Sequence, residues 1–385
     1  VSRSIVVSLA AAAAGFVGLA IGLAVDPGRV SFAWLDVFAF GATTAIGALL
    51  LEMIGHVSKA GWLAVLRRIN EAIAGTLPLF AVFLVLVLLY ARRIYPWVEP
   101  AALEPAERAA VEAKGAYLNL RSFVVRAVLE MGVFVVLASV LRRWSLAGDS
   151  ARRPATTDRL RALSGAGLPV AALALTFAAF DWLMSLQPDW YSTMFGFYVF
   201  AGGMAGAVGL VAAVAALEGA RGRLSGTLTP DHTHALGRVL LTFVIFWAYV
   251  AFGQLVIIWM ADEPAEISFY AARVMGRWTA VTWLLVMGHF VAPFFLLLSK
   301  DLKRHPGALG AVGAWVFAMH YVDVYWLVLP VHDRAGARPH WTDLAALLAV
   351  GGSSAALAIG RYRRGPPLPL GDPELGAGLR YEAAP

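Results

Sequence analysis

The 385-residue sequence contains no cysteine. That excludes thiolate-held iron–sulfur clusters, haem attached through Cys-x-x-Cys-His, and any disulfide framework. Charge is also scarce. Asp, Glu, Lys and Arg make up 15% of the residues, against about 25% in an ordinary soluble domain, too few to coat a water-soluble surface of this size. No phosphate-binding Gly loop, dinucleotide fingerprint or His-Glu-x-x-His zinc motif occurs. What is abundant is apolar: 60% of residues are hydrophobic and the mean hydropathy is +0.71. Composition alone therefore predicts an integral membrane protein.

Apolar runs long enough to cross a bilayer, about 20 residues each, fall near 4–24, 31–53, 75–92, 120–141, 166–184, 191–217, 238–261, 275–298, 307–329 and 342–360. Helix is the expected form, because hydrocarbon offers no partner for exposed backbone amides. The runs are too long and continuous for the roughly 10-residue alternating strands of a barrel. The expectation is an all-α integral membrane protein, with one polytopic domain over residues 1–365 and an extended cytoplasmic tail over 366–385. Ser4 to Ala24 exceeds the apolar stretch of a cleavable signal peptide and lacks a convincing cleavage site, so it is expected to be a retained helix.

The net charge of +6 and pI near 9.7 raise the question of nucleic acid. The basic residues instead lie in short connections between apolar runs, which is a topology signal. Of the 31 Lys and Arg, 20 fall on the side of the N-terminus and 10 on the opposite side, with Arg126 inside a span. Both termini are therefore expected in the cytoplasm, and no nucleic-acid partner is expected. Residues 56–74 place Trp62, Val65, Leu66 and Ile69 on one helical face, with Lys59, Arg67 and Arg68 outside it. An interfacial amphipathic helix is expected there, with a soluble helical loop as the alternative. Residues 93–119 form a mixed-charge outer loop with Glu99, Glu104, Glu107, Arg108 and Glu112, suited either to a neighbouring subunit or to plain solvation.

Charged side chains at bilayer depth cost at least about 2.5–3.5 kcal/mol on insertion scales, so each one calls for an account. Asp36 enters the second run from outside, with Thr43 two turns inward on the same face. Glu52 and His56 mark its inner end, and Glu71 follows. Arg126 and Glu130 stand at i, i+4 in the fourth run and are suited to neutralising each other. Asp181-Trp182 closes the fifth. Gln254 lies in the seventh, His289 is central in the eighth, and His320 and Asp323 share one face of the ninth. Carboxylates and imidazoles both bind and release protons, so Asp36, Glu52, His56, Glu130, Asp181, His289, His320 and Asp323 are candidates for a proton path. Helix capping or headgroup water is the plain alternative for Asp36 and Asp181. In the His320–Asp323 pair, the carboxylate would fix the imidazole tautomer.

His289 and His320 on consecutive helices also suit axial haem ligation. A paired-haem cytochrome b needs four such histidines, however, and the other six lie in or beside connections. No haem or metal is expected on this chain. Aromatics cluster at 182–198 and 315–326. Such clusters line quinone pockets, but more often they form the interfacial belt, which is the expectation for Trp190 and Trp326. Ala-Gly-Gly-Met-Ala-Gly at 201–206 should permit close helix approach.

Three segments carry a resemblance. They are Phe180-Asp181-Trp182-Leu183-Met184-Ser185-Leu186-Gln187-Pro188-Asp189-Trp190-Tyr191-Ser192-Thr193; Phe246-Trp247-Ala248-Tyr249-Val250-Ala251-Phe252-Gly253-Gln254 with Ile258-Trp259-Met260-Ala261; and the stretch from His289 through Pro293 and Ser299-Lys300 to Asp323 and Pro330. Together with Arg-Arg-Ile-x-Glu at 67–71, they resemble the ActF-type membrane subunit of bacterial alternative complex III, within the NrfD/PsrC-like membrane proteins. Gln187, Asp189 and Met260 depart from the pattern, where Glu, His and an aromatic are usual.

The resemblance implies two four-helix bundles with flanking helices in a bacterial inner membrane. It implies a redox-silent subunit of a quinol:electron-acceptor oxidoreductase with structural and proton-conducting roles. The implied partners are an ActC-like membrane subunit, multihaem and monohaem c-type cytochromes, an iron–sulfur subunit, a terminal oxidase as acceptor, and lipids. Haem c, iron–sulfur clusters and quinone or quinol belong to those partners and the complex. A stand-alone proton-coupled secondary transporter, with Pro169 and Pro293 as helix-break candidates, and a pure scaffold are the competing readings.

Overall fold

The computed structural model describes residues 2–103, 105–151 and 154–383. Among them are ten helices long and apolar enough to span a membrane: α1 Arg3–Val25, α2 Pro27–Val57, α3 Arg67–Leu89, α4 Leu120–Asp149, α5 Thr157–Leu186, α6 Phe195–Ala220, α7 Pro230–Ala261, α8 Trp278–Leu298, α9 Pro306–Val331 and α10 Trp341–Arg363. No strand occurs among the described residues. The fold is all-α and of membrane type, as composition and periodicity predict. Arg152, Arg153 and Glu104, which entered the sequence argument, lie outside the described residues.

Local chemistry sets the helix starts. Pro27 opens α2, where its missing N–H costs nothing, and the Asp26 carboxylate accepts from the Arg29 N–H at 2.9 Å. Thr229 and His232 form a reciprocal cap on α7, as His340 and Asp343 do on α10. Several helices outrun their apolar stretches at the face that carries both termini. α3, α5 and α7 start at residues 67, 157 and 230, where hydropathy suggests 75, 166 and 238. The extra turns are polar and stay helical because they are tied by ion pairs.

The helices form two rings of four. In the first, α2, α3, α4 and α5 pack around a common interior, and in the second α6, α7, α8 and α9 do the same. The rings meet along α2 and α6, while α1 and α10 pack on each other and on α2. α2 is thus the hub: 89% of its most apolar stretch is buried, against 22% for α1. Small residues allow these crossings. A Cβ on Gly47 would sit 2.3 Å from the Gly203 carbonyl oxygen, and one on Gly313 would sit 2.5 Å from that of Gly209. The small-residue run at 201–206 is therefore a close-packing face against α2 and α9.

Residues 56–74 do not form one interfacial helix. A short helix, Gly61–Ala64, precedes the start of α3, and Arg67, Arg68, Ile69, Asn70 and Glu71 are all buried. Both arginines leave the lipid surface because carboxylates await them. Arg68 donates to Glu71 at 2.5 Å and pairs with Asp149, and Arg67 pairs with Asp372. The tail is likewise not simply extended. Asp372 and Glu374 pair with Arg67 and Arg161, and a short helix, Leu375–Leu379, packs on Gly61–Ala64.

Candidate functional site

The densest group of buried protonatable side chains lies where the second ring meets α2, midway along the spanning helices. His320 on α9 places Nε2 3.0 Å from the Thr43 hydroxyl on α2. Its ring packs on Phe40 at 5.6 Å between centroids and against Gly202 and Gly206 of α6. Asp323, one turn on, accepts from the Tyr198 hydroxyl and, at 3.2 Å, from the Trp247 indole N–H. The His320 Nδ1 to Asp323 Oδ2 separation is 4.0 Å, beyond hydrogen-bond range. The expected direct His–Asp pair is thus replaced by two neighbours with separate partners. The aromatic donors on α6 and α7 reach the carboxylate first.

His289 completes the group. Its ring stacks on Trp247 at 4.2 Å and 29°, with the Met319 backbone as its polar neighbour. It sits in a π-helical turn, Leu285–Val291. Pro293 explains that turn, since it cannot give the His289 carbonyl its α-helical N–H. The widened backbone frees the Gly288 carbonyl, which accepts from Trp315 at 2.7 Å. π-turns recur at functional sites, and no hydropathy signal marks this one. For haem, the donor set is a poor fit: Thr43 takes His320 Nε2, the His289 ring lies stacked on Trp247, and neither large cavity is lined by His289 or His320.

The first ring carries two separated polar groups. Toward the face opposite the termini, Arg126 holds Asp181 with two hydrogen bonds, 2.7 and 2.9 Å, and its guanidinium also lies over the Tyr117 ring at 3.7 Å. The i, i+4 pairing of Arg126 with Glu130 is thus superseded by a bidentate bond across α4 and α5, which suits the planar guanidinium better. Glu130 lies beside Asp181 and Trp182, whose carboxyl and indole are its nearest polar groups. At the termini face, Glu52 lies near Glu71, Arg67, Arg68 and Arg142, with Oε1 unpartnered. Glu71 accepts from Ser145 at 2.5 Å, and His56 Nδ1 lies 3.1 Å from the Ser164 hydroxyl. From Ser145 to Glu130 is fifteen residues of α4, about 22 Å of rise, so these two groups do not touch.

Asp36 stands apart at the α2–α10 contact. It is fully buried, with the Tyr321 hydroxyl as its hydrogen-bonding neighbour and Arg29 and Asp343 as the nearest charges. Arg29 itself donates to Asp343 at 2.6 Å. Trp190 and Trp326 do not join an interfacial belt. Trp190 stacks on Phe269 at 4.0 Å, and both tryptophans line a cavity of about 530 Å³ with Phe195, Tyr198, Trp247 and Gln254. Arg273 secures its rim. Its guanidinium donates to the carbonyls of Phe269, Trp326 and Leu327 and to Gln187. Burial draws its pKa down to about 9, which leaves it a cation at neutral pH. The sequence counted Arg273 only as an outer-loop charge, and Gln187, its partner, appeared only as a departure from a motif.

What this arrangement offers chemically is a set of acids and imidazoles shielded from lipid, several with open hydrogen-bonding atoms. In protein interiors such atoms are met by water. No protein-family model matches the chain, and no curated protein matches it in sequence.

Proposed function

We propose that the chain is a proton-conducting membrane subunit of a quinol-oxidising respiratory complex, related to the ActF-type subunit of alternative complex III, with its redox centres on partner chains. The reading is supported by the three quoted segments, by the two four-helix rings that the resemblance implies, and above all by one observation. Thr43, His320, Asp323, Tyr198, Trp247 and His289 form one buried cluster of polar and aromatic neighbours, with a 4.0 Å step between His320 and Asp323 for a water to bridge. Glu52 and His56 toward one face and Glu130 toward the other are the entry and exit groups of the first ring, bridged by water over the helix length between them. Asp181, fixed by Arg126, acts as an anchor rather than a carrier.

The test is proton translocation by the purified complex in vesicles. Asp323→Asn and Glu52→Gln should each lower the proton-to-electron ratio while quinol oxidation continues. An unchanged ratio in both variants would leave a scaffold. Gentle purification separates the remaining class: co-elution with c-type haem and iron–sulfur absorbance supports the complex, and a lone active carrier supports a secondary transporter. The aromatic cavity beside Asp323 favours a second reading, in which the chain also seats a quinone. Labelling of Trp247 or Tyr198 by a photoreactive quinone tests that.

A further inference from the structure

A second cavity of about 530 Å³ lies where both rings meet the α1–α10 pair, on the side away from the aromatic cavity. Its deep part is apolar, lined by Phe40 of α2, Ile73 of α3, Leu210 of α6, Phe317 of α9 and Leu347 of α10. Along α10 the lining runs from Leu347 to Arg363, sixteen residues or about 24 Å. That exceeds the roughly 15 Å half-thickness of a hydrocarbon core, so the space fits an extended chain rather than a compact molecule. Leu217, which lines it, is 55% exposed, so the cavity opens sideways toward lipid.

The mouth is different. Arg221, which follows α6, and Arg363 of α10 both line it at the termini face. Glu218 is the only acid in the lining, and its charge is met by Arg221 at 2.9 Å and Arg223 at 3.2 Å. Arg363 has no acidic partner among the described residues. The hydroxyl of Ser354, also in the lining, has no hydrogen-bond partner in the protein, while that of Tyr362 lies beside the Arg223 guanidinium. A long greasy slot capped by surplus arginine and an open serine hydroxyl matches one ligand chemistry. We infer that this cavity is a binding site for an anionic phospholipid, with an acyl chain between the two rings and the phosphate between Arg221 and Arg363. Basic pockets of this kind between spanning helices hold acidic headgroups. The site rests on the membrane fold and does not depend on the respiratory reading.

Native mass spectrometry of the intact protein, delipidated and titrated with phosphatidylglycerol or phosphatidylcholine, tests it. Wild type should retain phosphatidylglycerol preferentially. The double variant Arg221→Gln, Arg363→Gln should bind it about 25-fold more weakly, roughly fivefold per arginine. Ala358→Trp, which fills the slot without touching the mouth, should also abolish retention, while Arg238→Gln outside the lining should not. Equal retention of the two lipids by wild type overturns the proposal. So does unchanged phosphatidylglycerol binding in the double variant, or in Ala358→Trp, the last of which would mark mere surface attraction.

Discussion

Replacing Gly47 by alanine should force α2 away from α6, and the cost follows from the geometry. The added Cβ would lie 2.3 Å from the Gly203 oxygen and 2.7 Å from its carbonyl carbon, whereas ordinary contact begins at 3.4 Å. The helices must therefore part by about 1 Å, because the obstacle is backbone and no side chain can rotate clear. A gap of 0.5–1 Å already forfeits about a quarter to a half of each neighbouring van der Waals contact. Overpacking in a tight core costs about 1–3 kcal/mol, and a backbone clash at the junction of the two rings belongs at the upper end, ~3 kcal/mol. Gly132→Ala is the matched control, since nothing lies within 4 Å of the position its new Cβ would take. In a membrane the unfolded reference is itself helical, so that change should be near neutral. Unfolding in mixed micelles, followed by circular dichroism, measures both. If the two variants fall within about 0.5 kcal/mol of each other, close contact of α2 and α6 at Gly47 is wrong.

Further outcomes rest on named contacts. Arg126→Met strands the fully buried Asp181 and should destabilise the fold by about 3–5 kcal/mol, with much of the loss restored by adding Asp181→Leu; no restoration in the same unfolding assay would refute the pairing. Arg273→Gln removes the donor shared by three carbonyls and Gln187, so amide exchange in Pro264–Val274 should quicken well before global unfolding. Unchanged exchange there would count against the clasp. Truncation after residue 365 deletes the partners of Arg67 and Arg161 and should lower the melting temperature, while an unaltered melting curve would mean the tail is passive.

Hydropathy located all ten spans because lipid-facing apolar length is what it measures. It missed the polar helical extensions of α3, α5 and α7, whose stability comes from ion pairs contributed by distant segments. Burial of Asp36, Glu52, Glu130, Asp181, His289, His320 and Asp323 was legible from their positions in apolar runs. Their partners were not. Periodicity ranks neighbours on one helix, and so it favoured Arg126 with Glu130 and His320 with Asp323. The actual bonds cross between helices, from Arg126 to Asp181 and from Tyr198 and Trp247 to Asp323. For Trp190 and Trp326, composition indicated an amphipathic ring but could not say whether it faced headgroups or an internal cavity.

The bond between Arg67 and Asp372 has a bearing on how the chain is made. About 300 residues separate the two, and at ribosomal speeds of roughly 5–20 residues per second the arginine waits about 15–60 s for its counter-ion. Throughout that interval Arg67, at the start of α3, lacks its direct ion-pair partner and has only the nearby Glu52 and Glu71 to offset its charge, so the segment should linger at the aqueous boundary and settle only after the last residues emerge. Nascent chains arrested before residue 366 should leave a cysteine introduced at Ala64, which the finished chain buries beneath Gly378, open to a water-borne thiol reagent, and release of the finished chain should close it. Equal labelling before and after release would mean that settling does not await the carboxyl end.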